Sequence, residues 1–243
     1  MIKEYWEKRS KFYDKLCWVN DKDNLNAIIK ACNFSRHDCV LDAGCGTGAV
    51  IKRIHNKVNM IFGLDISQDM LDKAPDYDNV IYKNDTIVNF QYHDIFSKII
   101  MRMCLHHITD NPEGAIKNCY NLLSKNGSLI INESLAPAGC DDFFNTVFKL
   151  KENRIELYRD VIIGWLNNAG FKNTEVIDTT IKKFSIRNWI TNNTLPEDVK
   201  KKIYDMHINA PDNVKKAYNM KITKNDCLVD VNNVCFVGRK DSW

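Results

Sequence analysis

A chain of 243 residues can bury one complete core, and 44% hydrophobic against 27% charged residues is a globular rather than a disordered composition. The formal net charge of +3, from 34 Lys and Arg against 31 Asp and Glu, lacks the basic excess of a dedicated nucleic-acid binder, and no apolar run of about 18 residues offers a membrane span. Nine cysteines without a C-x-x-C pair, behind a charged opening IKEYWEKRSKFYD with no apolar leader, imply reduced thiols, a cytoplasmic location and no metal site.

In chain order, the segment from Ile2 to about Asn33 has helical periodicity, with Tyr5, Trp6, Phe12, Tyr13 and Leu16 among charges, and a second helix is predicted from Asn24 to Cys32. CVLDAGCGTGAV (Cys39 to Val50) is an apolar strand that ends in three glycines and feeds a helix. NMIFGLDIS (Asn59 to Ser67) and VIYKND (Val80 to Asp85) are strands that each run into an acid. KIIMRMC (Lys98 to Cys104) is a fourth strand, followed by LHHITD and a helix from Pro112 to Leu123. A turn at Lys125-Asn126-Gly127 leads into a fifth strand, SLIINES (Ser128 to Ser134). Strands alternating with helices at this spacing predict a doubly wound, mostly parallel α/β sheet.

Beyond Ser134 a helix is predicted from Arg154 to Asn168, with Gly170 as its C-cap. TEVIDTTIKKF (Thr174 to Phe184) and CLVDVNNVCFVGRK (Cys227 to Lys240) are two further strands. Between them lies a mostly helical insertion, residues 187–224, with Trp189, Tyr204, Met206 and Tyr218, which is either a substrate lid or scaffold. The expected division is one domain: an N-terminal helical cap (1–38), a cofactor-binding core (39–134) and the insertion. The lysine clusters Lys200 to Lys202 and Lys215-Lys216 read as solvated helix faces.

In such a sheet, ligands bind beyond the carboxyl ends of the strands. The loop Asp42-Ala43-Gly44-Cys45-Gly46-Thr47-Gly48 allows positive φ and close backbone approach, and the next helix N-terminus suits an anionic group. Asp65, at the end of the second strand, can accept two hydrogen bonds from a ribose diol. The glycines alone are ambiguous, because Gly44, Gly46 and Ala49 also satisfy the dinucleotide pattern G-x-G-x-x-G/A.

The segment VLDAGCGTG resembles the D-x-G-x-G-x-G loop of class I S-adenosylmethionine (SAM)-dependent methyltransferases. The likeness continues through GLDIS, KND, LHHITD and LLSKNGSLIINES to the terminal VGRK. It is similar to the branch with ubiquinone- and menaquinone-type and other small-molecule methyltransferases. The resemblance implies a seven-stranded Rossmann-like sheet whose last strand is antiparallel, with SAM as cofactor and a small-molecule acceptor. It also implies that Gly44, Gly46 and Gly48 wrap the methionine part, with Asp42 among the cofactor-binding residues, that Asp65 holds the ribose and that Ile66 lies against the adenine. Asp85 and Thr86 would meet the adenine amine, and Tyr13 would close over the cofactor. Two departures stand out: Phe96-Ser97 where the family has Phe-Asp, and an atypical segment over residues 86–96.

Arg102, His106 and His107 lie at or just past the fourth strand, where the acceptor would meet the sulfonium. A neutral histidine can serve as general base at neutral pH; alternatively, either histidine only shapes the loop. Arg102 binds an acidic substrate, the cofactor carboxylate or a neighbouring acid. The adjacent histidines have no third metal ligand placed by spacing. Two other functions remain open: a NAD-dependent oxidoreductase using the same loop, and a SAM-binding module without turnover.

Overall fold

The computed structural model describes residues 2–92 and 95–241, with nothing said of the side chains of Ile2 and Lys3. His93 and Asp94 of the atypical segment therefore lie outside the described residues.

The N-terminal segment forms α1 (Ile2–Ser10), a 3-10 turn (Tyr13–Lys15) and α2 (Lys22–Cys32). Asp21 caps α2, its side chain accepting from Asn24 N at 2.8 Å, and Asn33 ends it in the left-handed region at φ 47. The core strands are β1 (Cys39–Ala43), β2 (Met60–Asp65), β3 (Val80–Asn84), β4 (Phe96–Arg102) and β5 (Leu123–Ser134). Between them run α3 (Ile51–Ile54), α4 (Gln68–Leu71) and α5 (Pro112–Leu122), the last opened by Asn111 accepting from Gly114 N with a proline next in line. After β5 come α6 (Asp141–Lys151), α7 (Arg159–Ala169), β6 (Lys172–Ser185), α8 (Ile186–Thr191), α9 (Glu197–Ile208), α10 (Asp212–Ala217), β7 (Lys221–Ile222) and β8 (Cys227–Arg239).

The strand order is β3-β2-β1-β4-β5-β8-β6, and the strands from β3 to β5 pair in parallel. The expected antiparallel end is present: β8 runs antiparallel between β5 and β6. The order reverses between β1 and β4, so their carboxyl ends open a crevice. Alternation along the strands sorts the core onto two faces: Leu41, Ile99, Leu129 and Phe236 belong to one cluster, Val40, Ile100, Ile130 and Cys235 to the other. A third cluster, with Leu16, Phe144, Trp189 and Val229, joins the N-terminal segment, α6 and the insertion to the far ends of β6 and β8.

Four details differ from expectation. An eighth strand, β7, is a two-residue pair with β8. β3 is a half-exposed edge rather than a buried strand, since only β2 pairs with it. The predicted turn at Lys125–Gly127 falls within the bounds of β5, as a register irregularity with Asn126 at φ 61. The helix that ends at Gly170 (φ 110) begins at Arg159, because residues 152–158 form a loop, and α6 was not expected at all.

Candidate active site

The glycine loop sits at the carboxyl end of β1, where Gly44 N and Cys45 N both donate to Leu64 O of β2. Gly44 is at φ +75, and a Cβ there would lie 2.5 Å from Cys104 Sγ, so the loop tolerates no side chain against β4. Gly46 is at φ +55, and a Cβ on it would meet the Tyr13 ring at 3.4 Å. Tyr13 thus already lies on the loop, wedged edge-on between Trp6 and Trp18. Thr47 Oγ1 donates to Asp14 at 2.5 Å and secures the same contact.

Asp65 accepts Gly46 N at 2.8 Å on Oδ2 and Ser67 N at 2.9 Å on Oδ1. Burial raises its carboxyl, while those backbone donors and Ile66 N hold it down. Ile66 and Thr86 are half-buried, Asp85 is exposed, and Asp85 accepts from Thr86 N at 2.7 Å. Asp42 is 1% exposed; burial pushes it up to about 7, against the pull of Arg102. Its Oδ2, and the Oγ of buried Ser67, have no partner. A buried acceptor left open beside a glycine cradle suits a ligand bearing donors, which a methionine amine and ribose hydroxyls supply.

Arg102 does not line the neighbouring chamber. Its Nη2 donates to Trp18 O at 2.9 Å and its Nε to Asn24 at 3.2 Å, so it ties the N-terminal segment to β4 beside Asp42. His106 and His107 do reach the chamber, with ring centroids 4.0 Å apart. His106 Nδ1 lies 2.6 Å from Glu133 Oε2, and its backbone N donates to Glu133 Oε1 at 3.3 Å. Burial, reinforced by Arg154, keeps His106 well below the usual histidine range and therefore neutral. Burial and the neighbouring His106 do the same to His107, whose ring stands edge-on to Trp6 at 4.7 Å. Glu133 is pushed up to about 7 by burial. His106 and Glu133 thus share a short buried hydrogen bond.

The chamber starts at Trp6, Tyr13 and Trp18 and passes between the histidines and α6, where Phe144, Val147 and Phe148 face it. Trp189, His207 and Tyr218 of the insertion close the far side, with Ile181 and Val229 from the sheet. Tyr204 is not in the wall; it packs under Arg187, whose Cζ is 5.0 Å from its ring. The chamber's polar end holds Arg9, Lys151, Glu152 and Arg154, which the sequence reading did not find. Glu152 also supplies the third ligand that spacing did not place beside the histidines, the three ligand atoms lying within 4.8 Å of one another. Glu133 was not singled out either, although an acid inside the apolar run LIINES is a signal that could have found it; the Lys151 to Arg154 group has no such signal, because α6 is not evident from the sequence.

A glycine loop at the switch point of a doubly wound sheet, with an acid at the end of the next strand, defines an α/β protein that binds an adenosine-type cofactor. Residues 40–127 match the methyltransferase domain family. The chain is 22% identical over 216 residues to the uncharacterized methyltransferase YcgJ of Bacillus subtilis, covering 84% of each. Its fold superposes on the YcgJ crystal structure with a TM-score of 0.78, over 90% of this chain and 99% of that one. It is 32% identical over 131 residues to an uncharacterized protein of Methanocaldococcus jannaschii, spanning 53% of this chain and only 50% of that protein. Over 150 residues it is 28% identical to a ubiquinone biosynthesis O-methyltransferase of Glaesserella parasuis, spanning 54% of this chain and 59% of that enzyme. Residues 40–127 thus carry a methyltransferase domain, and over most of its length the chain has the fold of methyltransferases.

Proposed function

We propose that the protein transfers the SAM methyl group to a small-molecule acceptor held in the aromatic chamber. The observation that carries this reading is the position of Tyr13, which touches the glycine loop on one side and lines the chamber on the other. Walls from α1, α6 and the insertion enclose the chamber, which favours a small acceptor over a polymer. The likeness to a ubiquinone biosynthesis O-methyltransferase points the same way.

The bound cofactor supplies a methyl group already activated as a sulfonium, so the protein's task is alignment. Gly44, Gly46 and Gly48 admit the methionine part with Asp42 as its acceptor, and the second lone pairs of Asp65 take the ribose. Ile66 flanks the adenine, and Asp85 with Thr86 meets its amine. Tyr13 closes the loop and excludes water from the transfer direction. His106, oriented through Nδ1 by Glu133, presents Nε2 to accept a proton from an acceptor hydroxyl or amine. His107 fixes the wall against Trp6, and Arg102 positions Asp42 and the N-terminal segment. All nine cysteines are free thiols, which suits a reducing compartment such as the cytoplasm, and no helix among the described residues is long and apolar enough to cross a membrane.

The test is transfer of a labelled methyl group from SAM into an extract separated by size. Label in the small-molecule fraction supports the proposal; label confined to protein or nucleic acid, or none above a blank, overturns it.

A further inference from the structure

We propose that the acceptor carries a carboxylate, which docks between Arg154 and Lys151 at the polar end of the aromatic chamber. This rests on the reading of the chamber as the acceptor pocket.

The first observation is a local imbalance of buried charge. The side chains of Arg9, Lys151 and Arg154 are only 4%, 3% and 6% exposed. All three turn to one carboxylate. Arg9 Nη1 donates to Glu152 at 3.0 Å, Lys151 Nζ makes a short contact with it, and Arg154 Nη1 lies 3.7 Å away. Tyr5 also donates to Glu152 Oε2 at 3.0 Å, the oxygen that Arg9 and Lys151 use, while Oε1 has only longer contacts, to Arg154 at 3.7 Å and His106 Nε2 at 3.8 Å. The other carboxylate of the cluster, Glu133, is engaged by His106. Three buried cations therefore share one carboxylate, where an uncompensated charge is costly.

The second observation concerns Arg154 itself. Its Nη2 is buried and has no hydrogen-bond partner. The guanidinium lies over two aromatic rings, its Cζ 4.2 Å from the Phe148 ring centroid and 5.5 Å from that of Phe144. Lys151 Nζ sits beside it, 4.9 Å from the Trp189 ring centroid and 5.5 Å from that of Phe148. The site as built has one unused guanidinium edge and a buried lysine on the same aromatic wall.

A two-oxygen monoanion matches these two donors, and the aromatic walls match an apolar body. A divalent cation on His106, His107 and Glu152 is the rival use of the cluster. The ligand spacing permits it, but Arg9, Lys151 and Arg154, all gathered on Glu152, repel it.

The experiment titrates the full chain by calorimetry with octanoate, 3-phenylpropionate and 4-hydroxybenzoate, each beside its neutral amide, with and without saturating S-adenosylhomocysteine. The expected result is that at least one acid binds about tenfold or more tightly than its amide, and that Arg154→Met removes that preference without weakening the amide. Arg154→Met should also melt no lower than wild type, because it relieves buried repulsion; a purely structural arginine would lower the midpoint. Equal binding of acids and amides, a preference that survives Arg154→Met, or phenyl phosphate binding where all three acids fail would overturn the proposal. So would stoichiometric binding of Zn²⁺ or Mn²⁺ alone. The wild-type comparison decides the matter even if the variant does not fold. Absence of heat with S-adenosylhomocysteine would count against the cofactor reading alone, since the acid preference is read separately.

Discussion

Asp65→Asn is the most informative single change at the cofactor half of the site. Each carboxylate oxygen already accepts one backbone hydrogen, from Gly46 at 2.8 Å and from Ser67 at 2.9 Å, leaving one lone pair apiece for a ribose diol. The amide keeps one acceptor and turns the other into a donor that must face a backbone N–H. One backbone bond and one ribose bond are lost together. Charge-assisted bonds of this kind are worth about 1.5 to 3 kcal/mol, so affinity should fall roughly tenfold to a hundredfold. Stability should fall by about 1 to 3 kcal/mol through the Gly46 or Ser67 N–H left without its partner. Calorimetry with S-adenosylhomocysteine reads the first effect and thermal unfolding the second. A folded variant that binds the product cofactor within about twofold of wild type would refute the ribose assignment.

Gly46→Val should abolish cofactor binding in calorimetry, since φ +55 disfavours a β-branched residue and its Cβ would press on the Tyr13 ring at 3.4 Å. Once an acceptor is found, His106→Asn should lower kcat by roughly 10² to 10⁴ while S-adenosylhomocysteine affinity holds; an unchanged kcat would remove the base role. Glu133 gives a pH signature, because burial raises its folded value from the usual 4.5 to about 7, with His106, His107 and Arg154 facing it. Its contribution to stability is therefore complete below about pH 4.5 and is lost as pH rises through about 7, at most about 3 kcal/mol. Denaturant unfolding of Glu133→Gln across that window should show a flatter pH dependence than wild type.

The proposed cofactor half could be read from the sequence because its elements are local: the strand, glycine loop and acid lie where the spacing put them. One strand, one glycine loop and the acid ending the next strand carry it, and their apolar runs are bounded by unmistakable breakers. The antiparallel end strand was likewise expected and lies between β5 and β6. The aromatic chamber proposed for the acceptor was not legible, for two physical reasons. Phe144, Val147 and Lys151 follow a helical stripe, but it is short and starts among small residues, so α6 passed as irregular chain. Its charged end works only through distant partners: Arg9 comes from α1, and Glu133 from β5. No spacing rule joins them. Trp189 of the insertion lines the chamber, whereas Tyr204, noted on the same aromatic grounds, packs under Arg187. Composition marks an aromatic as anchored but does not say which side of its helix the chamber lies on.

The central claim, that cofactor and chamber meet at Tyr13 and His106, is tested most directly by a crystal structure of the complex with S-adenosylhomocysteine. The account predicts the ribose hydroxyls on Asp65 and the sulfur at the chamber mouth, between Tyr13 and the two histidines. A cofactor sulfur walled off from the chamber by Tyr13, or ribose hydroxyls without contact to Asp65, would contradict it.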